Sequence, residues 1–120
     1  MRLYLTRLHD SRHSSKRKPK EVPVELTTLD KVYQASKHMF EDKRVIMKVD
    51  VEGAALRVVR GGLTMIEERR PYVILEVHRG EGEDDELAAM PYLLKLGYRW
   101  RLLERRDTHF PHFMIALEPS

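Results

Sequence analysis

Two apolar stretches decide the fold: Arg44-Val45-Ile46-Met47-Lys48-Val49-Asp50-Val51 and Tyr72-Val73-Ile74-Leu75-Glu76-Val77-His78. Each is too short and too continuously apolar for a surface helix, and reads as a strand covered on both faces in a parallel sheet. Gly53 allows a sharp turn after the first, and Pro71 opens the second. Between them Leu56, Val59, Leu63 and Ile66 fall on one helical stripe, while Arg57, Arg60, Glu67 and Glu68 face water. Gly61-Gly62 either interrupts this helix or lets it approach the sheet closely. The segment is long enough for a right-handed crossover between parallel strands.

Upstream, Thr27 or Thr28 caps a helix whose apolar positions Leu29, Val32, Tyr33, Met39 and Phe40 predict one buried face ending near Asp42. Before it, residues 2–8 and Glu21 to Leu26 alternate as two strands, with Pro23 consigning the second to an edge. Downstream, the acidic run Glu81 to Glu86 suits a helix N-terminus, with apolar contacts from Leu87, Leu94 and Leu96. Pro91 kinks or restarts that helix, and Gly97 closes it. Tyr98 to Leu103 and Phe113 to Leu117 form an antiparallel hairpin across the loop Glu104 to His112. The expectation is one α/β domain over residues 1–120, with a strand-loop-strand over 1–26 and an α/β core over 27–120. Its mixed sheet has two central parallel strands and a C-terminal antiparallel hairpin.

Composition narrows the chemistry. With no cysteine, disulfides, thiolate zinc sites, iron–sulfur clusters and cysteine nucleophiles are excluded. No apolar run is long enough to cross a bilayer and no signal-peptide pattern is present, so a cytoplasmic location is expected. The net charge of +3 is uneven: residues 1–20 carry seven Lys/Arg against Asp10, leaving the rest of the chain at −3. This basic arm lacks interleaved aromatics on which bases would stack, so it reads as a solvated loop rather than a nucleic-acid site.

Lys48, Asp50 and Glu52 occupy alternate positions and project from one face, with three charges at the carboxyl end of the first strand. The neighbouring strand ends in Glu76 and His78, so one rim collects three carboxylates, a lysine and an imidazole. Open α/β sheets bind ligands in the crevice beyond those strand ends. Lys48 reads as a salt-bridge partner of Asp50 or Glu76, and Glu52 either caps the next helix or serves the site. Asp50 is the leading candidate for a base or a ligand for a hydroxyl, and His78 for proton exchange near neutrality. His109 and His112 face either this crevice or water, and no metal site is expected.

The words Lys48-Val49-Asp50-Val51-Glu52-Gly53-Ala54, then Val59-Arg60-Gly61, then Pro71 to His78, resemble the FkbM-type methyltransferases. Val22-Pro23-Val24 with Thr28-Leu29-Asp30, and Leu96-Gly97-Tyr98, are similar to flanking family stretches, so the resemblance runs from about Leu3 to Leu117. Ala55 stands where the family commonly has Glu. The resemblance implies a Rossmann-like methyltransferase that uses S-adenosylmethionine to methylate a hydroxyl of a sugar or natural product. Asp50 and Glu52 would lie beside the transfer crevice and His78 across from them.

Family members open with a strand and a glycine-rich turn for the cofactor, and an acid ends their second strand. Here the glycines are at 53, 61, 62, 80, 82 and 97, none after an early strand. The chain thus resembles the carboxyl-terminal half of the family, truncated or split, and is expected to be inactive alone because half a pocket cannot align donor and acceptor. The implied partners are a small hydroxyl acceptor and either a second copy or a separately encoded N-terminal half covering the strand from Val45 to Val51. The alternative expectation is a non-catalytic assembly or binding module that retains the half-fold.

Overall fold

The computed structural model describes residues 2–6, 20–51, 53–78, 80, 86–106 and 112–120. Strands β1 (Arg2–Thr6) and β2 (Glu21–Glu25) pair antiparallel in a two-stranded ribbon with Leu3 opposite Val24 and Tyr4 opposite Pro23. The strand-loop-strand expected for residues 1–26 is therefore formed, and its basic loop falls outside the described residues. Strands β3 (Ile46–Val49), β4 (Tyr72–His78), β5 (Tyr98–Arg106) and β6 (His112–Pro119) make a second sheet in the order β3-β4-β6-β5. The β3–β4 pair is parallel and the other two are antiparallel. This mixed α/β sheet accords with part of a Rossmann-like fold.

Helices α2 (Ala55–Arg60) and α3 (Leu63–Arg69) carry the chain from β3 to β4, broken at Gly61-Gly62 as the glycine pair suggested. A Cβ on Gly62 would lie 2.6 Å from Leu29 Cδ2, so the second glycine is where helix α1 (Leu29–Ala35) presses against the elbow. Burial in β4 alternates strictly: Val73, Leu75 and Val77 are fully buried, whereas Tyr72, Ile74, Glu76 and His78 are half-buried. The buried face meets Val49, Ala55, Val59, Ile66, Leu93, Ile115 and Leu117 in one core. Burying a side chain of this kind contributes roughly 1.5–3 kcal/mol, so this face fixes the register of the parallel pair.

Several expectations are corrected. The first strand is not covered on both faces: it is shorter, Ile46 is 70% exposed, and Lys48 and Val51 are also exposed. Among the described residues, its position at the sheet's margin leaves one side without a neighbouring strand. The helix expected to run to Asp42 stops at Ala35, and a 3-10 turn covers Lys37–Phe40. Ser36 breaks it by turning its hydroxyl back onto the Val32 carbonyl at 2.6 Å. Of the expected apolar face only Tyr33 is buried, while Val32 and Met39 are exposed. Thr28 does cap α1, accepting from the Lys31 N–H at 3.1 Å.

Pro91 begins helix α4 (Met90–Lys95) rather than kinking one, which suits a residue with no N–H to offer. Leu87 and Leu96 pack against the core as expected, with Ala89 and Leu93 buried beside them, whereas Leu94 is exposed. Gly97, at φ 86°, closes the helix. The hairpin of β5 and β6 forms as expected, but longer, with an irregularity between Leu102 and Glu104.

Candidate functional site

The half-buried face of β4 ends in Glu76 and His78, and the parallel register sets Lys48 opposite Ile74, one alternate position short of Glu76. Asp50, just past the end of β3, continues the same side of the chain. The result is a shared lip: His78 Nε2 lies 3.7 Å from Asp50 Oδ1 and 3.6 Å from Glu76 Oε1. Asp50 and His78, read as neighbours at one rim, are brought together. Lys48 bridges both carboxylates, 3.6 Å from Glu76 and 3.9 Å from Asp50. The salt-bridge reading of Lys48 holds, although its side chain is more than half exposed rather than buried.

Glu52 and His109 lie outside the described residues. His112, left open between crevice and water, belongs to the lip: it pairs with His78 across β4 and β6, and its Nε2 is 3.8 Å from Glu76 Oε1. The two imidazole centroids are 6.1 Å apart.

Sequence reasoning missed Glu86, whose side chain is fully buried. It accepts from the His78 backbone N–H at 2.7 Å and the Gly53 N–H at 3.2 Å, and its Oε1 is 3.2 Å from His78 Nδ1. Nothing in the sequence separates it from the neighbouring acids of the run Glu81 to Asp85. Its partners come from 8 and 33 positions away, so only the tertiary fold reveals it. Burial of His78 opposes its protonation. The hydrogen bond to Glu86 and the charges of Glu86, Glu76 and Asp50 together outweigh that and hold the imidazole above its ordinary value.

Chemically, the lip offers an imidazole flanked by carboxylates, able to bind a hydroxyl and take its proton. Asp50, Glu76 and His78 can also bring three donor atoms within 4.8 Å of one another, a set wide enough to receive a cation. The Lys48 ammonium already lies against both carboxylates, so a metal ion would have to displace it. An open apolar groove of about 460 Å³ is lined by Leu87, Met90, Trp100, Leu102, Phe113 and Ile115. It shares no residue with the lip, because Phe113 pairs with Val77 while His112 pairs with His78, and successive residues face opposite ways.

A parallel strand pair ending in acids and an imidazole, backed by crossover helices, defines an α/β domain of the kind whose ligands bind beyond the carboxyl ends of its strands. The family model for the methyltransferase FkbM domain matches residues 4–100, and the chain belongs to that family. No curated protein and no solved structure matched.

The family generally uses S-adenosylmethionine, and of the described glycines Gly53, Gly61, Gly62 and Gly97 are committed to packing and turns. A Cβ on Gly61 would lie 3.2 Å from the Arg57 carbonyl oxygen and 3.4 Å from Thr28, one on Gly62 would fall on Leu29, and Gly97 abuts Ser120 just past α4. Gly53 donates its N–H to Glu86. A Cβ on Gly80 would meet nothing within 4 Å, but this glycine follows β4 rather than an early strand, so the described glycines do not fit the donor's methionine portion. Among the described residues no helix is long and apolar enough to cross a membrane.

Proposed function

We propose that this chain supplies the acceptor side of a cytoplasmic O-methyltransferase of the FkbM family, acting on a hydroxyl of a sugar or natural product. The reading is carried by the lip itself: an imidazole whose Nε2 faces Asp50 and Glu76 at the end of the parallel strands. Asp50, with its partly exposed carboxylate, would accept a hydrogen bond from the incoming hydroxyl, and His78 would take the proton. The O–H bond breaks, the proton moves to the imidazole and the electron pair stays on oxygen. The carboxylates around His78 stabilise the imidazolium that forms. Glu52, named with Asp50 by the family motif, lies outside the described residues and is proposed to act with Asp50 on the resemblance alone.

The donor would be held by a separately encoded N-terminal half, and either that half or a second copy of this chain would cover the open margin of β3. Ile46 supports this: an aliphatic side chain 70% exposed on an edge strand is a surface that a further chain would cover. Calorimetric titration of the 120-residue chain with S-adenosylmethionine tests the division. No binding heat is expected, and tight 1:1 binding would contradict it.

One observation favours a second reading, a non-catalytic binding or assembly module: Lys48 pairs with both Asp50 and Glu76, as a structural network would. In that case Asp50→Ala and His78→Ala would leave binding of any partner chain unchanged and no acceptor would perturb the His78 resonances.

A further inference from the structure

We infer that Glu86 is a positioning residue: its buried carboxylate holds His78 as the Nδ1–H tautomer, leaving Nε2, beside Asp50 and Glu76, as the nitrogen that exchanges a proton with the acceptor. The role of Nε2 toward an acceptor rests on the proposed function; the tautomer assignment does not.

The argument starts from what each atom can donate. A carboxylate only accepts, so contact with His78 Nδ1 at 3.2 Å is a hydrogen bond when that nitrogen carries the proton. The same carboxylate accepts the backbone N–H groups of His78 at 2.7 Å and Gly53 at 3.2 Å, which pins it from two sides and prevents it from turning away. Glu86 is fully buried, so water cannot substitute for it. In the neutral ring the lone pair then belongs to Nε2, on the partly exposed side that carries Asp50. Fixing the tautomer through the far ring nitrogen is the general way in which a carboxylate aims an imidazole at its task.

Glu86 also couples two parts of the site. By holding Gly53, at φ 82°, it ties the turn after β3 to the end of β4, and so sets Asp50 and His78 at one lip. A purely structural role would end there. Glu86→Gln tests the tautomer because the glutamine oxygen can keep the shorter bond from the His78 backbone N–H, while its NH₂, in place of the other carboxylate oxygen, accepts from neither Nδ1 nor the Gly53 N–H.

The test is long-range ¹H–¹⁵N correlation spectroscopy of the imidazoles in the full 120-residue chain, across a pH titration without added ligand. In the wild type the neutral form of His78 is expected as Nδ1–H. In Glu86→Gln it should move toward Nε2–H, and the His78 titration midpoint should move down. The groups that face the ring, Asp50, Glu76 and His112, together with Lys48 behind the two carboxylates, are unchanged in both proteins. A wild-type His78 found as Nε2–H overturns the inference, as does a folded Glu86→Gln chain with the wild-type tautomer. The wild-type spectrum decides the question even if the variant does not fold. No methyl donor enters the experiment, so failure of the methyltransferase reading would leave its result standing.

Discussion

Helix α3, which leads into the strand carrying His78, is capped from outside itself. Its own N-cap residue is Gly62, which has no side chain to offer, and Asp30 from α1 takes that role instead. Asp30 Oδ1 accepts the Met65 N–H at 2.9 Å and Oδ2 accepts the Thr64 N–H at 3.2 Å, while the Asp30 N–H donates to the Gly61 carbonyl at 2.8 Å. Asp30→Ala removes both side-chain bonds and a negative charge at a helix N-terminus. Losing a capping side chain costs about 1 kcal/mol, and the favourable charge at the N-terminus adds about 0.3–1 kcal/mol. Water replaces the acceptor at the exposed Thr64 N–H more readily than at Met65, so the expected loss is roughly 2 kcal/mol. Asp30→Asn, with one acceptor left, should recover part of it. Urea denaturation followed by far-ultraviolet circular dichroism reads the difference as a lower midpoint with an unchanged slope. A stability for Asp30→Ala within about 0.5 kcal/mol of wild type would refute this capping across the α1–α3 contact.

Two further expectations follow from the same packing. Tyr33→Phe removes the 2.6 Å hydrogen bond to Glu68 and should cost about 1 kcal/mol at neutral pH. The Tyr33 hydroxyl first, and Lys37 at 3.1 Å second, hold the Glu68 carboxyl below its ordinary value. Their contribution is therefore fully present above the unfolded carboxylate value and is lost as pH falls through the folded one. The gap between wild type and Tyr33→Phe should narrow on acidification in chemical-denaturation curves; a gap that widens would contradict the pairing. Gly62→Ala places a Cβ 2.6 Å from Leu29 Cδ2 and 3.1 Å from Leu29 Cβ, and should destabilise the protein by about 1–3 kcal/mol. Leu29→Ala in the same chain should suppress that added penalty in thermal melts, and full additivity would place the clash elsewhere.

The parts of the fold that were legible in the sequence are those written by local chemistry. Pro71 and the run that follows mark β4, Gly61-Gly62 marks the break between α2 and α3, and Gly97 marks the end of α4. The meeting of Asp50 with His78 was legible too, because two parallel strands that end together put their last side chains at one lip. What local chemistry does not write is how many neighbours a residue will have. Ile46 is as apolar as Val49, yet one is exposed and the other buried, because they stand on opposite faces of β3 and only the face of Val49 meets the core. Likewise Ser36 is an ordinary helix residue until its hydroxyl folds back on Val32, and Glu86 is one acid in a run of acids until the turn at Gly53 and the end of β4 converge on it.

The claim on which the rest depends is that Asp50, Glu76 and His78 share one lip, and a pH titration of the His78 imidazole by nuclear magnetic resonance in Glu76→Gln and Asp50→Asn chains tests it most directly. Both carboxylates favour the imidazolium, so each substitution should shift the His78 midpoint down. The shift should be larger for Glu76, whose side chain is 14% exposed, than for Asp50 at 41%. A His78 midpoint that stays put in both variants would mean that the acids and the imidazole are not neighbours, and the acceptor-side reading would fall with it.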